Sequence, residues 1–336
     1  MRYVSLGSSN VRVSQFCLGA MMFGGKTDAD ESARIVAAAI GAGVNFIDTA
    51  DVYTDGRCES ILGDALASSA ARDRVVLATK AGMKVGPGPN DEGVSRYHVV
   101  RAVEASLRRL RTDRIDVYYI HWPTERMNLD ETLRALDDLV RQGKIVYPAC
   151  SNFPAWLTCR CQWINEVKGF APLVCGQYPY NLIERGLEVE ILPMAAALGL
   201  GITVYRPLAI GVLTGKYLDS APTGARGADD QRVAHWTRKY DGAIRALVAV
   251  AAELGRTPAD VANAWVLGHP AVTSVIVGIS RLSQLEDNLR AADWRLTPEQ
   301  RDRVAAGFNT EVFEEAGGKF PAWRRSYDIH AARPGP

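Results

Sequence analysis

The segment NFIDTADVYTDGRCES, residues 45–60, has a short apolar run near its start that is followed directly by polar residues. Phe46 and Ile47 are typical of a buried strand. Asp48 follows at once, and Tyr53 comes five residues later. Asp favours turns, so a turn explains its place after a strand. The pairing of an acid with a phenol raises the further question of whether this strand ends at a functional site.

Short apolar runs of the same kind recur along the chain. They are continuously apolar rather than alternating, as strands buried on both faces are. The first seven begin 28 to 40 residues apart, which leaves room for one βα unit each. The eight runs are residues 16–20, 44–48, 75–79, 115–121, 145–150, 173–178, 202–206 and 274–278.

Amphipathic segments with helix-end signals lie between the runs. Residues 28–43 begin with acids and end with glycine, and residues 95–110 begin with a serine cap and close with arginines. Residues 128–144 end near Gly143, a residue suited to a helix C-terminus. Eight strands with intervening helices favour a (β/α)8 TIM barrel of the α/β class over an open doubly wound sheet.

The whole chain, residues 1–336, is therefore predicted to be a single barrel domain. Residues 1–15 are predicted to form a β-hairpin that covers the bottom of the barrel, and residues 308–336 a C-terminal tail. After the seventh run, residues 216–240 are polar and lack a clear period, which predicts a long rim loop. His235 and Trp236 make this loop a candidate lid over the substrate.

The composition excludes several classes of protein. With 39 Lys and Arg against 38 Asp and Glu, the net charge of +1 gives no reason to expect nucleic acid or an anionic membrane as partner. No signal peptide or membrane-spanning run is evident. Cys159 and Cys161 form a C-x-C without a second Cys/His pair nearby, so no metal site is predicted. Of the six cysteines, Cys17, Cys150 and Cys175 lie in apolar runs, and these features together predict a reducing, cytoplasmic location.

Three neighbouring strands are predicted to end in polar residues that suit catalysis. The second run ends at Asp48, the third at Lys80 and the fourth at His121, and barrel chemistry takes place at the carboxyl ends of strands. Tyr53 follows closely enough to stay on the same rim. Lys80 would lower the pKa of Tyr53, Asp48 would balance the charge of Lys80, and His121 would hydrogen-bond to a substrate oxygen. Polar residues are common at strand ends, which is enough to explain any one of these residues. The occurrence of all four on neighbouring strand ends favours a catalytic site.

The chain resembles the aldo-keto reductases in several segments that occur in that family's order. These are NFIDTADVY, LATK, IDVYYIHW, SNF, GQYPYNLIER and YRPLAIGVLTGKY, and the similarity extends from about Tyr3 to Leu296. The resemblance implies an Asp-Tyr-Lys-His tetrad at Asp48, Tyr53, Lys80 and His121. It further implies hydride transfer from a reduced nicotinamide to a carbonyl carbon, with Tyr53 giving a proton to the oxygen.

The cofactor is predicted to bind in the segment VGISRLSQLEDNL, residues 277–289. No G-x-G-x-x-G motif opens a helix after a strand, and GVLTGKY lacks the spacing of a P-loop. Backbone N–H groups between the last strand and the next helix suit an anion, and barrels often bind phosphate there. Ser280 and Arg281 would hold a 2′-phosphate, which predicts NADPH/NADP rather than NAD. The alternative is an arginine at a solvated helix start.

The resemblance implies further contacts to the cofactor. Those to the nicotinamide carboxamide and ring are Ser151, Asn152, Gln177 and Tyr205; those along the pyrophosphate are Leu208, Gly211 and Leu213; those at the adenosine phosphate include Gly278, Gln284 and Asn288. Arg206 stands where many relatives have Ser. Its contact is left open among the pyrophosphate, an acidic group of the substrate, and solvent.

The substrate pocket is predicted from apolar and aromatic residues near strand ends, namely Met21, Met22, Phe23, Trp122 and Trp156. The tryptophans would stack on a sugar or aromatic ring, or pack against the protein. The predicted function is NADPH-dependent reduction of an aldehyde or ketone, such as a keto-sugar or secondary metabolite. The alternatives are a regulatory protein similar to channel β-subunits and a binding protein with an inactive site. The partner is a small-molecule carbonyl, and both a monomer and a homo-oligomer remain open.

Overall fold

All eight apolar runs are strands, and they pair in parallel to close a barrel, which confirms the (β/α)8 prediction. The computed structural model describes residues 1–68, 70–124, 127–219, 230–290 and 292–308. In chain order, the barrel strands are β3 (Phe16–Gly19), β4 (Phe46–Asp48), β5 (Val76–Ala81), β6 (Ile115–Ile120), β7 (Ile145–Ser151), β8 (Cys175–Pro179), β9 (Gly201–Tyr205) and β10 (Ser274–Gly278). Each strand pairs with the next in sequence, and β10 closes the barrel against β3.

A hairpin precedes the barrel, as predicted. Its strands β1 (Tyr3–Ser5) and β2 (Arg12–Ser14) are antiparallel. Gly7 in its turn has φ 59°, and a Cβ there would lie 2.4 Å from the carbonyl oxygen of Val174 and 2.6 Å from the amide nitrogen of Gly201. Val174 directly precedes β8 and Gly201 begins β9, so the hairpin covers the amino-terminal end of the barrel. The carboxyl ends of the strands therefore form the opposite, uncovered end.

Helices surround the barrel, and side-chain caps fix where several begin. Asp28, Ser95 and Asn128 accept hydrogen bonds from the backbone three residues on, which satisfies one of the free N–H groups at each helix start. The helices are α1 (Ala29–Gly41), α2 (Arg57–Ser68), α3 (Arg96–Leu110), α4 (Leu129–Arg141), α5 (Ala155–Lys168), α6 (Ile191–Leu198), α7 (Gln231–Lys239), α8 (Asp241–Glu253), α9 (Pro258–Leu267), α10 (Leu282–Leu289) and α11 (Pro298–Ala305). Short 3-10 turns occupy Tyr53–Gly56, Arg72–Arg74, Gly186–Glu188 and Ala209–Thr214.

The long connection after β9 is not irregular throughout. Its residues 220–229 lie outside the described part of the chain, but α7 follows within the stretch that the sequence predicted as loop. Asp230 caps this helix by accepting a hydrogen bond from the backbone N–H of Arg232 at 3.0 Å. Such a cap is a local signal that the polar composition of the stretch obscured. The predicted tail lies outside the described residues except for Phe308, whose ring packs 5.7 Å from that of Tyr240.

The apolar residues form an inner and an outer layer. The inner layer fills the barrel and includes Cys17, Phe46, Val117 and Tyr119. The outer, larger layer lies between strands and helices. This two-layer arrangement makes both faces of each strand apolar, which explains the continuous runs. Within the described residues, no helix is long and apolar enough to cross a bilayer.

Candidate active site

The alternation of side chains along three strands places the polar residues of the site inside the barrel. Phe46 on β4 and Ala78 on β5 belong to the inner apolar layer. Side chains two residues apart on a strand point the same way, so Asp48 and Lys80 also point inward, one layer nearer the carboxyl end. Tyr119 on β6 is likewise inside, and His121 lies two residues beyond it. The strands therefore deliver an acid, an amine and an imidazole to one end of the barrel.

Lys80 and Asp48 form a fully buried ion pair. Lys80 Nζ lies 2.5 Å from Asp48 Oδ1 and donates a second hydrogen bond to the carbonyl oxygen of Thr49 at 2.7 Å. The other carboxylate oxygen of Asp48 accepts a hydrogen bond from Gln177 Nε2 at 2.8 Å. Burying a charge pair is favourable only when its remaining donors and acceptors are satisfied. The neighbours Thr49 and Gln177 supply those bonds here.

Tyr53 and His121 stand beside this pair. Lys80 Nζ lies 5.2 Å from the centroid of the Tyr53 ring. The ring of His121 meets that of Tyr53 edge-on, with centroids 5.9 Å apart. Asn152 Nδ2 donates a hydrogen bond to the carbonyl oxygen of His121 at 3.1 Å, which ties the β7 loop to the end of β6. The structure thus brings together all four residues of the tetrad.

Burial is the largest single influence on the pKa values of Tyr53, Lys80 and His121. It raises the pKa of Tyr53 above its ordinary value, and the Lys80 ammonium acts in the opposite direction without reversing the shift. The sequence prediction that Lys80 favours the phenolate therefore describes one contribution and not the net direction. Burial lowers the pKa of Lys80, but Asp48 and Tyr53 together more than offset this through their charges and hydrogen bonds, so its pKa is raised. Burial and Lys80 together hold the pKa of His121 well below its usual range. At neutral pH the site holds a phenol, an ammonium and a neutral imidazole.

A cavity of about 910 Å³ opens beside the tetrad and extends to the start of α10. It is large enough for a sizeable ligand. Lys80 is buried behind its wall. The predicted residues that line the cavity are Met21, Met22, Asp48, Tyr53, His121, Trp122, Ser151, Asn152, Gln177, Tyr205, Arg206, Leu208, Gly211, Gly278, Ser280, Arg281, Gln284 and Asn288.

Several predicted site residues lie away from the cavity walls. Phe23 and Leu213 are fully buried in the outer apolar layer, and Trp236 on α7 packs there too. His235 is exposed on the same helix, and Trp156 is 48% exposed on α5. Closeness in sequence to a strand end therefore does not predict where these side chains point. Their directions depend on the rotation of the helix and on the path of the loop.

The cavity also has lining residues that the sequence analysis did not single out. Lys26, Met83, Lys216 and Arg232 are among them. Met83 follows Lys80 after β5, so the strand-end argument applied to that loop would have found it. Arg232 gave no comparable signal, because its place depends on helix α7 in a stretch predicted as irregular. Arg206 forms an ion pair with Glu184 at 2.9 Å, and its guanidinium lies 5.1 Å from the Tyr205 ring.

A second buried acid, Asp51, lies close behind the tetrad. It is 3% exposed, and its backbone N–H donates a hydrogen bond to the carbonyl oxygen of Lys80 at 3.1 Å. Neither of its carboxylate oxygens has a hydrogen-bond partner among the described residues. Its neighbour Glu59 is engaged by Thr79 and Arg109, at 2.6 and 2.7 Å. Burial and, secondarily, the charge of Glu59 raise the pKa of Asp51 to about 7.

This environment predicts that Asp51 makes the protein less stable as the pH rises. The folded state holds a proton on Asp51 up to about pH 7, whereas the unfolded chain releases it near pH 4. Its contribution is therefore fully present below pH 4 and is lost as the pH rises through about 7. Asn at this position does not titrate. Between pH 4 and pH 8 we therefore expect wild type to lose on the order of 4 kcal/mol of unfolding free energy relative to Asp51→Asn.

Urea unfolding of both proteins at several pH values measures this difference. Asp55→Asn is the matched control, since Asp55 is exposed in the same loop and its left-handed backbone, φ 56°, also suits Asn. A difference between wild type and Asp51→Asn that stays constant with pH would show that Asp51 is not a buried titrating group.

Comparisons with known proteins agree with this geometry. The family model described as the aldo/keto reductase family matches residues 15–307. An uncharacterized oxidoreductase, YrpG, of Bacillus subtilis (strain 168) is 38% identical over 335 residues, covering 96% of this chain and 100% of the relative. A probable voltage-gated potassium channel subunit beta of Oryza sativa subsp. japonica is 38% identical over 321 residues, covering 91% and 96%. One of Arabidopsis thaliana is 38% identical over 325 residues, covering 90% and 95%.

Proposed function

Because the chain belongs to the aldo/keto reductase family, whose members are oxidoreductases of carbonyl compounds, we propose that it reduces an aldehyde or ketone to the alcohol with NADPH. The observation that carries the proposal is the convergence of Tyr53, His121 and the buried Lys80–Asp48 pair at one end of a cavity. The substrate is a small-molecule carbonyl, with keto-sugars and secondary metabolites as candidates.

The roles of the four residues follow from their protonation. A reduced nicotinamide, when bound, supplies the hydride. Tyr53, which keeps its proton at neutral pH, gives that proton to the carbonyl oxygen. Lys80 remains charged and favours the phenolate that Tyr53 becomes. Neutral His121 donates a hydrogen bond that orients the oxygen. Asp48 keeps Lys80 charged and in place.

The residues along the cavity fit a dinucleotide. Tyr205 presents an aromatic ring to the cavity, and its hydroxyl donates a hydrogen bond to Asn152 Oδ1 at 2.8 Å. At Gly211, φ is 94° and a Cβ would lie 2.9 Å from Lys216 Cε, so glycine permits this backbone conformation and leaves room for the lysine beside it. At the far end, Arg281 lines the cavity, and its guanidinium makes no ion pair with the described part of the chain. A free guanidinium suits a 2′-phosphate.

The proposal is tested by binding and turnover with purified protein. We expect NADPH fluorescence to change on titration and NADPH to be oxidised in the presence of members of a panel of aldehydes, ketones and keto-sugars. Release of the alcohol should match the NADPH consumed. Binding of NADPH without oxidation by any carbonyl in the panel would contradict the enzymatic proposal.

That outcome would favour a second candidate, a cofactor-binding regulatory protein. The observation in its favour is the 38% identity, over most of both chains, to relatives described as potassium channel β-subunits. Such a protein would bind NADPH tightly with little turnover and would need a partner protein. Efficient multiple turnover favours the enzyme instead.

A further inference from the structure

Glu31 of α1 reaches across to the start of α10, where the proposed cofactor phosphate would bind. Its Oε1 accepts a hydrogen bond from the backbone N–H of Leu282 at 2.8 Å. Its Oε2 pairs with Arg34 at 2.6 Å. The Glu31 side chain is 19% exposed, so its charge is only partly screened by water. A carboxylate of the protein itself therefore already accepts the hydrogen bond of an N–H group at the beginning of this helix.

The same helix start carries the other groups predicted to hold the phosphate. Ser280 directs its backbone N–H and its hydroxyl at Gln284 Oε1, at 2.9 and 3.0 Å. Thr27, just before α1, donates a hydrogen bond to the carbonyl oxygen of Ser280 at 3.2 Å. Arg281 lines the cavity, as do the charged residues Lys26 and Asp287. An anion that approaches this helix start therefore meets the guanidinium of Arg281 and the carboxylate of Glu31.

We propose that Glu31 is a specificity-determining residue that limits the preference of this protein for NADPH over NADH. The inference rests on the proposed cofactor site. A 2′-phosphate competes with the Glu31 carboxylate for the Leu282 N–H and is repelled by its charge. The 2′-hydroxyl of NADH carries no charge and can donate a hydrogen bond to a carboxylate. Glu31 therefore weakens the binding of NADPH while it tolerates NADH, and Arg281 acts in the opposite direction.

Fragments of the two cofactors test this without turnover. Adenosine 2′,5′-bisphosphate carries the distinguishing phosphate and AMP lacks it, and isothermal titration measures the affinity of each. We expect Glu31→Gln, which keeps an acceptor for Leu282 but removes the charge, to bind the bisphosphate about threefold to tenfold more tightly than wild type. Its affinity for AMP should stay unchanged.

Two further variants are measured for comparison. Asp30→Asn makes the same charge change in the same turn, on an exposed side chain with no hydrogen bond to α10 among the described residues, and should alter neither affinity. Arg281→Gln should weaken bisphosphate binding. Equal gains in Glu31→Gln and Asp30→Asn, or no gain in either, would overturn the role of Glu31 while carbonyl reduction stands. Failure of every variant to bind the bisphosphate would overturn this role and the NADPH site together.

Discussion

Replacement of Tyr53 by Phe is expected to reduce carbonyl turnover by about 10²- to 10⁴-fold, the usual contribution of a positioned general acid. Tyr53 lines the cavity beside Lys80 and His121, and its raised pKa keeps it protonated at neutral pH. Phe preserves the ring that packs against His121 and removes the proton. Neutral His121 is a poor substitute donor, because release of its one N–H proton would leave an imidazolate.

The loss should appear in kcat, with NADPH affinity by fluorescence titration close to that of wild type. Tyr118→Phe is a suitable control, since Tyr118 is fully buried and its hydroxyl has no hydrogen-bond partner in the described residues. It should leave turnover nearly intact. A Tyr53→Phe enzyme with wild-type kcat would mean that another group supplies the proton.

Replacement of Asp48 by Asn is expected to lower the unfolding free energy by about 3–5 kcal/mol, the typical cost of breaking a buried ion pair from one side. Lys80 is 0% exposed. In the variant it would keep its hydrogen bond to the carbonyl oxygen of Thr49 but lose its counter-ion. Because Asp48 is the largest cause that raises the pKa of Lys80, burial would then favour the neutral amine. Activity should fall as well, since an uncharged Lys80 no longer stabilises a phenolate at Tyr53.

Urea unfolding of the single variants and of Asp48→Asn/Lys80→Met measures the coupling. The double variant removes both charges, so its loss should be smaller than the sum of the single losses. Glu253→Gln is the control at the surface, where Glu253 pairs with Arg303 and both side chains are more than half exposed. It should cost less than about 1 kcal/mol. Additive losses at Asp48 and Lys80 would show that the two charges do not stabilise each other in the folded protein.

Local rules predicted the barrel and the tetrad because each depends on short stretches of chain. Strands buried on both faces need apolar runs, and all eight runs are strands. Asp48, Lys80 and His121 stand at or just beyond the ends of β4, β5 and β6, and neighbouring parallel strands end on the same side. The meeting of these residues therefore follows from chain order and the period of two along a strand.

Other features depend on where distant side chains meet. Phe23, Leu213 and Trp236 come from segments near the cavity, yet their side chains pack in the outer apolar layer. Asp51 reads as a turn residue in TADVY, and its buried, unpartnered carboxylate becomes evident only beside Glu59 and Arg109. No local pattern contains such information, because burial is set by what packs over a residue.

Local sequence patterns were enough to predict the strand order, the open end of the barrel and the four residues that meet there. These follow from periodicity and from the short distance between a strand end and its loop. The charge of each group and its freedom to bind a ligand depend instead on how the chain packs in three dimensions. The net rise in the pKa of Tyr53 required burial to outweigh Lys80. The bond from Leu282 to Glu31 joins residues 251 positions apart, through helices that pack side by side around a closed barrel.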